Sequence, residues 1–453
     1  MNRTAQNLFS TSALIALMAG GAHAGDVNWV GGTSADVTDA TNWDTASVPA
    51  PGVDIARFAG ATNPDLLGNS VTWGSMWLGT GDTTIAATGG GTINLDAAIN
   101  GNGSSFWAVG DPTNSVIDAN IVAAGNIVAN NDHNVAFNGS VTTNRTRVFN
   151  NSSITYNGAY TQTEQFFTMH PGATVVLNGP TDWNFPGEAG LHVGGTLELG
   201  PNFSTTGPEA IWGVLNMFDQ TTLRLGADDR IGQDIDLWGR TNASTLDLNG
   251  FSENNIEFIG TNAGQQFNID FGDTPGANTL SWAASWNANG TYNITNFETD
   301  VDTLLLGPFG TGGGFDPDAG GLVNLAKLTI NGLAYEQDLG DGVSWTVEDA
   351  DGGFHRVVFS GTLVPGDTDG DGDIDDSDLG TAFSNYTGPL PPGTGGKTAA
   401  DGDTDGDGDV DDSDLGTAFA GYTGPLGPAS VPEPTSLALL GLGGLVIARR
   451  RRA

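Results

Sequence analysis

Two acidic segments 36 positions apart hold the residues best suited to chemistry in this chain. The first reads Asp367-Thr-Asp369-Gly-Asp371-Gly372-Asp373-Ile374-Asp375-Asp376-Ser377-Asp378, and the second Asp403-Thr-Asp405-Gly-Asp407-Gly408-Asp409-Val410-Asp411-Asp412-Ser413-Asp414. Carboxylates at loop positions 1, 3, 5, 9 and 12 can gather oxygen around one calcium ion, and glycine at position 6 permits the sharp turn. Calcium is a hard cation that prefers such an oxygen cage, so two Ca2+ sites are expected. Ile374 and Val410 occupy the apolar position that a folded loop requires, which argues against a solvated Asp-Gly spacer.

The segments after the loops must hold them. Leu379, Phe383 and Tyr386, then Leu415, Phe419 and Tyr422, recur at i, i+4 and i+7, which places each set on one helical face. Two such units can pack as a pseudo-two-fold pair. Crowded carboxylates repel without a cation, so metal binding should be coupled to folding. Gly380 and Gly416 are expected to break these helices, and Pro389 to Gly396 reads as a flexible spacer.

This arrangement over residues 365–425 resembles a type I dockerin, the calcium-binding module that docks polysaccharide-degrading enzymes onto cohesin scaffolds. The resemblance implies side-chain calcium ligands at Asp367, Asp369, Asp371, Asp375 and Asp378, and at Asp403, Asp405, Asp407, Asp411 and Asp414. It implies backbone ligation at Asp373 and Asp409, and a cohesin-facing surface at Asp376, Ser377, Asp412 and Ser413. The chain departs from that family in having no basic residue after the loops and a sorting tail beside the module.

Charge is lopsided, with 53 Asp+Glu against 14 Lys+Arg and a net charge of −39. Arg3 and Arg449 to Arg452 lie in terminal segments, leaving nine basic residues between. Such a surface repels nucleic acid and anionic lipid and favours divalent cations. There is no cysteine, which excludes disulfides, thiolate nucleophiles and Cys-ligated metals.

Both termini read as addresses. Met1 to Ala24 has a weakly charged start, an apolar run containing Leu14 to Met18, and an A-x-A site at Ala22-His23-Ala24, as in a secretory signal. Residues 431–453 combine Val431-Pro-Glu-Pro434, an apolar stretch from Leu437 to Ala448, and Arg449-Arg-Arg-Arg452. The stretch is short for a spanning helix, and the arginines would be held on the cytoplasmic side. The order of these three parts resembles the PEP-CTERM sorting signal. That resemblance implies recognition and cutting by an exosortase, a transpeptidase-like membrane enzyme, and delivery to the surface or extracellular matrix of a Gram-negative-type bacterium.

Between about Val71 and Phe297, short β-like segments recur, beginning at Thr92, Ser115, Val135, Ile154, Val175, Leu197, Leu223, Leu246, Phe267 and Tyr292. The spacing stays near 20–25 residues and each unit closes in a turn, commonly Asn-Gly or Gly. One such rung cannot bury its apolar side alone, whereas a stack makes a continuous core. The expected fold class is mostly β: a right-handed parallel β-solenoid over residues 25–299, with the paired calcium-loop module as a small α part and an apolar sorting helix at the C-terminus. An antiparallel sandwich is the alternative. In a stack the turn asparagines could form ladders. Residues 300–362 differ in character and read as a cap, with a short helix from Leu322 to Leu328 and strands at Val343 to Val347 and Arg356 to Phe359.

Asn28-Trp29, Asn42-Trp43, Asp54 to Phe58, Leu246 to Phe251, Asp302 to Leu306 and Leu322 to Gly332 resemble autotransporter-like β-strand-repeat proteins. That likeness implies a secreted β-helix with no defined catalytic residues.

No established catalytic fingerprint is present. The best cluster is Asp182-Trp183 with Glu188 and His192, which also reads as ordinary turn residues. The base candidates for a lyase are Arg145, Arg147, Arg224, Arg230 and Arg240. The expected function is therefore a secreted, surface- or matrix-displayed solenoid with a structural or adhesive role. The alternative is a dockerin-bearing polysaccharide-degrading or carbohydrate-binding protein, acting as a glycoside hydrolase or polysaccharide lyase if it is an enzyme.

Overall fold

The computed structural model describes residues 25–424 apart from 33, 61, 98–102, 111–112, 165, 184–188, 193, 206–213, 232–235, 242, 273–275, 287–289, 300, 308–321, 338–343, 361–365, 369–372, 391–394 and 406. Both terminal address segments, and Asp369, Asp371 and Glu188, lie outside the described residues. The chain divides into two compact units. One comprises Met1–Tyr292, Asp300–Lys327 and Asp349–Arg356; the other comprises Asn293–Thr299, Leu328–Glu348 and Val357–Ala453.

The first unit is a parallel β-solenoid of about ten turns. A representative turn runs through strands Asn126–Asn130, His133–Phe137 and Val141–Thr143, each on a different sheet. The next turn, Thr146–Val148, Ser153–Tyr156 and Tyr160–Gln162, lies directly on it in parallel register. The parallel part of the long sheet runs from Asp26–Asn28 to Thr303–Leu306. The third sheet ends at Ser204–Thr205, so later turns contribute two strands among the described residues. Parallel pairing stops where Leu305 and Leu306 meet Arg356 and His355 antiparallel.

The recurrent segments read from the sequence sit on the second sheet, except Thr92–Leu95, which belongs to the third. Their alternation is the pattern of a half-buried strand: Val135, Phe137, Ile154, Tyr156, Val175 and Leu177 all face inward at 2% exposure or less. Aromatic rings stack along the interior. Phe106 meets Phe137 at 5.2 Å, Phe137 meets Tyr156 at 5.4 Å, and Tyr156 meets Tyr160 at 4.1 Å. Thr146 Oγ1 bonds both tyrosine hydroxyls at 2.7 Å, so these buried polar ends are satisfied.

The expected asparagine ladder is present. Asn138 donates to Asp118 at 2.7 Å, Asn157 to Asn138 at 2.9 Å, and Asn178 to Asn157 at 3.1 Å. Each amide donates to the turn below and accepts from the turn above, which fixes rung spacing. The adjoining glycines allow this approach: a Cβ at Gly158 would lie 2.3 Å from the Gly139 carbonyl oxygen, and one at Gly179 2.2 Å from that of Gly158.

The opening segment packs as an aromatic cluster. Trp43 is 5.2 Å from Trp29, 5.6 Å from Phe58 and 5.8 Å from Trp73, and its indole N–H donates to the Val37 carbonyl.

In the region expected to form a cap, helix α1 spans only Leu322–Leu325, and strands occupy Ser344–Asp349 and His355–Ser360. In the second unit, Leu328–Ile330 and Leu333–Ala334 form a hairpin, and the buried Trp345 indole donates to the Leu333 carbonyl. Helices α2 (Asp376–Asn385) and α3 (Asp412–Gly421) follow the acidic loops. They run unbroken through Gly380 and Gly416, contrary to the sequence expectation. Both glycines face open space, and each costs the helix about 1 kcal/mol of backbone entropy, which the capped helix withstands.

Candidate metal centre

Each acidic loop ends by capping its own helix. Asp375 accepts from the Ser377 N–H at 2.6 Å while Asp378 accepts from the Asp375 N–H at 2.8 Å. Asp411 and Asp414 repeat this capping box at 2.7 and 2.8 Å. The other oxygen of Asp378 accepts from the Thr368 N–H and hydroxyl, and that of Asp414 from the Thr404 N–H and hydroxyl. Position 12 thus ties the start of each loop to its end. Its carboxylate is 1% exposed or less in both copies.

The loops clasp each other crosswise. Thr387, just after α2, donates through its N–H to the Val410 carbonyl of the second loop and accepts from the Val410 N–H. Thr423, just after α3, does the same with Ile374 of the first. Gly366 packs on Ala418, and Gly402 on Ala382; added Cβ atoms would approach those residues' Cα atoms to 2.9 and 2.7 Å. Every contact recurs with an offset of 36 residues, which is a local pseudo-two-fold. The module's core is small: Ile374, Val410, Ala382, Ala418 and Leu415 are buried. The aromatic faces differ from the sequence expectation. Phe383 and Phe419 touch edge to face at 5.9 Å yet stay 53% and 54% exposed, because the close glycine–alanine contacts bury the other side of each helix.

Asp373, Asp375 and Asp378 each offer an oxygen within 4.8 Å of the others. So do Asp403, Asp405 and Asp414, and Asp409, Asp411 and Asp414. Asp367, Asp373, Asp403 and Asp409 are also buried. Burial, with the charges of Asp407 and Asp414 beside it, pushes the Asp405 carboxyl up to about 6, and Asp407 is raised chiefly by burial. Asp409 Oδ2 accepts from the Leu390 N–H, whereas its buried Oδ1 has no hydrogen-bond partner. Carboxylates gathered this tightly, with a buried oxygen lacking a donor, fit a divalent hard cation. The residues for calcium therefore fit. Asp367, Asp373, Asp375 and Asp378 line the described part of the first loop, and Asp403, Asp405, Asp407, Asp409, Asp411 and Asp414 the second.

Of the four residues expected to face a partner, Asp376 and Asp412 are engaged across the module. Tyr422 donates to Asp376 and Tyr386 to Asp412, both at 3.0 Å, and the carboxylate acceptor raises each phenol above its usual range. Ser377 and Ser413 lie exposed in the first turns of α2 and α3.

Of the candidate catalytic cluster, the described residues Asp182 and His192 lie on different sheets. Asp182 lies in strand Pro180–Trp183 of the third sheet and His192 in Ala189–His192 of the long sheet. His192 instead stacks on Phe218 at 4.2 Å. Arg224 is paired with Asp247 at 2.6 Å, and Arg230 donates to the Phe203 carbonyl. Arg145, Arg147 and Arg240 stand on the long sheet's outer face beside aromatic rings, a grouping that sequence spacing alone did not show.

Residues 430–452 match the PEP-CTERM protein-sorting motif. Searches among curated proteins and solved structures return no match. The motif marks the chain for export, association with the cell envelope and processing by an exosortase-type enzyme. Among the described residues no helix is long and apolar enough to cross a membrane.

Proposed function

We propose that the chain is a surface- or matrix-displayed protein of structural or adhesive role. The solenoid is the displayed body, and residues 365–425 form a dockerin-like module that folds around two calcium ions. The observation that carries this reading is the crosswise clasp, in which Ile374 and Val410 each lie in one acidic loop while bonding the residue that ends the other repeat's helix. A disordered spacer would have no reason to place equivalent residues in equivalent contacts. With the metal bound, the carboxylates stop repelling one another and the loops hold the helices in place. The cation supplies charge neutralisation only, and no step of catalysis is assigned to it.

The test is calcium titration of the mature chain by calorimetry, with hydrogen exchange over residues 366–424. Two bound ions and slowed exchange on binding are expected. Replacing Asp371 and Asp407 together by Ala should abolish both effects while leaving exchange in residues 104–271 unchanged. Undiminished calcium affinity in that variant overturns the ligand assignment.

A further inference from the structure

The outer face of the long sheet differs from every other outer face of the solenoid. Thr146 and Val148 are fully buried and point into the core, so Arg145 and Arg147 between and beside them point outward. Arg147 sits in register with Val128 on one side and with Thr168, then His192, on the other. Val128 in turn continues to Trp107 and Trp77; Val128 and Trp107 are buried in an apolar cluster of their own, with Trp77 and Phe149 half-buried against it. Every cation–π contact among the described residues lies on this sheet face. Arg145 lies 5.9 Å from the Phe166 ring and Arg147 5.4 Å from Phe149.

The two guanidiniums are anomalous. Arg57 and Arg224 are neutralised by Asp26 and Asp247 at 2.5 and 2.6 Å. Among the described residues no carboxylate forms an ion pair with Arg145 or Arg147, in a chain of net charge −39. Burial, and for Arg145 the adjoining charge of Arg147, hold both below the usual arginine range although Glu164 acts the other way on each, and Arg145 donates to the Thr168 hydroxyl. Arg145 Nε, Arg147 Nε and His192 Nε2 are buried without a hydrogen-bond partner. Half-buried like charges with orphan donors are costly unless something anionic meets them.

We propose that this face, centred on Arg145 and Arg147, binds an acidic polysaccharide of uronic-acid type, with carboxylates seated on the guanidinium pair and sugar rings lying on the adjacent aromatic faces. A planar guanidinium matches a carboxylate in a two-bond fork, which suits uronates. A neutral glycan would leave the arginines unmet. Nucleic acid carries about one charge per 1.7 Å and would be repelled by the rest of the chain far more strongly than a polymer with one charge per sugar. The site gives the adhesive role above a ligand. It rests on that reading only in requiring display outside the cell, and it does not involve the calcium loops.

The experiment is binding of the mature chain to polygalacturonate and alginate, with dextran and duplex DNA as controls, in chelator so that calcium cannot bridge two anions. Binding of the uronates alone is expected, weakened by salt. Arg145→Gln with Arg147→Gln should lower affinity at least tenfold while the melting temperature does not fall, and the corresponding Lys pair, which keeps the charge but not the fork, should bind with intermediate affinity. Arg224→Gln should have no effect. The Asp371→Ala, Asp407→Ala chain should bind uronate normally, so that failure of the calcium reading is separable from failure of this one. Absence of uronate binding in chelator, equal binding by the double Gln and wild-type chains, or equal capture of dextran or DNA would overturn the proposal.

Discussion

At the residue scale, titration tests two buried groups with opposite signs. His133 is buried between Thr113 and Ser115, whose hydroxyls meet its two ring nitrogens at 2.9 Å, and burial lowers it to about 4. Its folded value lies below the unfolded 6.5, so the unfolded chain binds the extra proton between these values. The solenoid should therefore lose stability as pH falls from about 6.5 to about 4. His133→Gln, which can still meet hydroxyls, should flatten that slope in thermal melts followed by tryptophan fluorescence. Asp405 behaves the other way. Its folded value near 6 exceeds the unfolded 3.8, so the metal-free module should gain stability as pH falls through 6 towards 4. With calcium present the sign reverses, because protons compete for the ligand carboxylates. Hydrogen exchange of residues 374–424 with and without chelator at pH 7 and pH 5 would show whether the two slopes oppose.

At the element scale, packing depends on close backbone approach more than on large side chains. Gly402 lies against Ala382 and Gly366 against Ala418, where a Cβ would fall inside van der Waals distance. Gly402→Val should separate the helices and break the Thr387–Val410 clasp, a loss of about 1–3 kcal/mol typical of overpacking. The expected readout is loss of helical signal near 222 nm, with the solenoid melt unchanged. Phe383→Ala should do far less, because the ring is about half exposed. The same logic governs the Asn-Gly turns, where Gly158 lets one rung sit on the next while Asn157 bonds the rung below.

At the scale of the whole molecule, a stack whose turns touch only their neighbours should tolerate loss of one complete turn. Deleting residues 126–144 joins Gly125 to Arg145 and removes one whole turn in register, whereas deleting 126–135 removes only part of a turn and carries second-sheet residues into the place of a long-sheet strand. The first variant should fold cooperatively with a lowered melting temperature, and the second should fail to give a cooperative melt.

Legibility in the sequence varied by sheet. The second sheet was readable because one side of each strand faces the core and the other faces solvent, so Val135, Ile154 and Val175 alternate with polar residues. The long sheet was not readable, because apolar and aromatic residues occupy both of its faces. Ser104–Val109 is buried at every position, which erases the alternation. The acidic loops were readable because carboxylate spacing and helix capping are local. Their crosswise clasp was not, since it joins residues up to 49 positions apart.

The sequence by itself determined the repeat length, the inward pattern of one sheet, the two acidic loops with their helix caps, and the sorting tail. Each of these is written in residues close along the chain. Only the tertiary structure decided that Arg145, Arg147 and His192 share one outer face while Asp182 lies on another sheet. Coiling brings residues about one turn apart into register and sends near neighbours to different faces, so chemical proximity here follows the turn length rather than the distance along the chain.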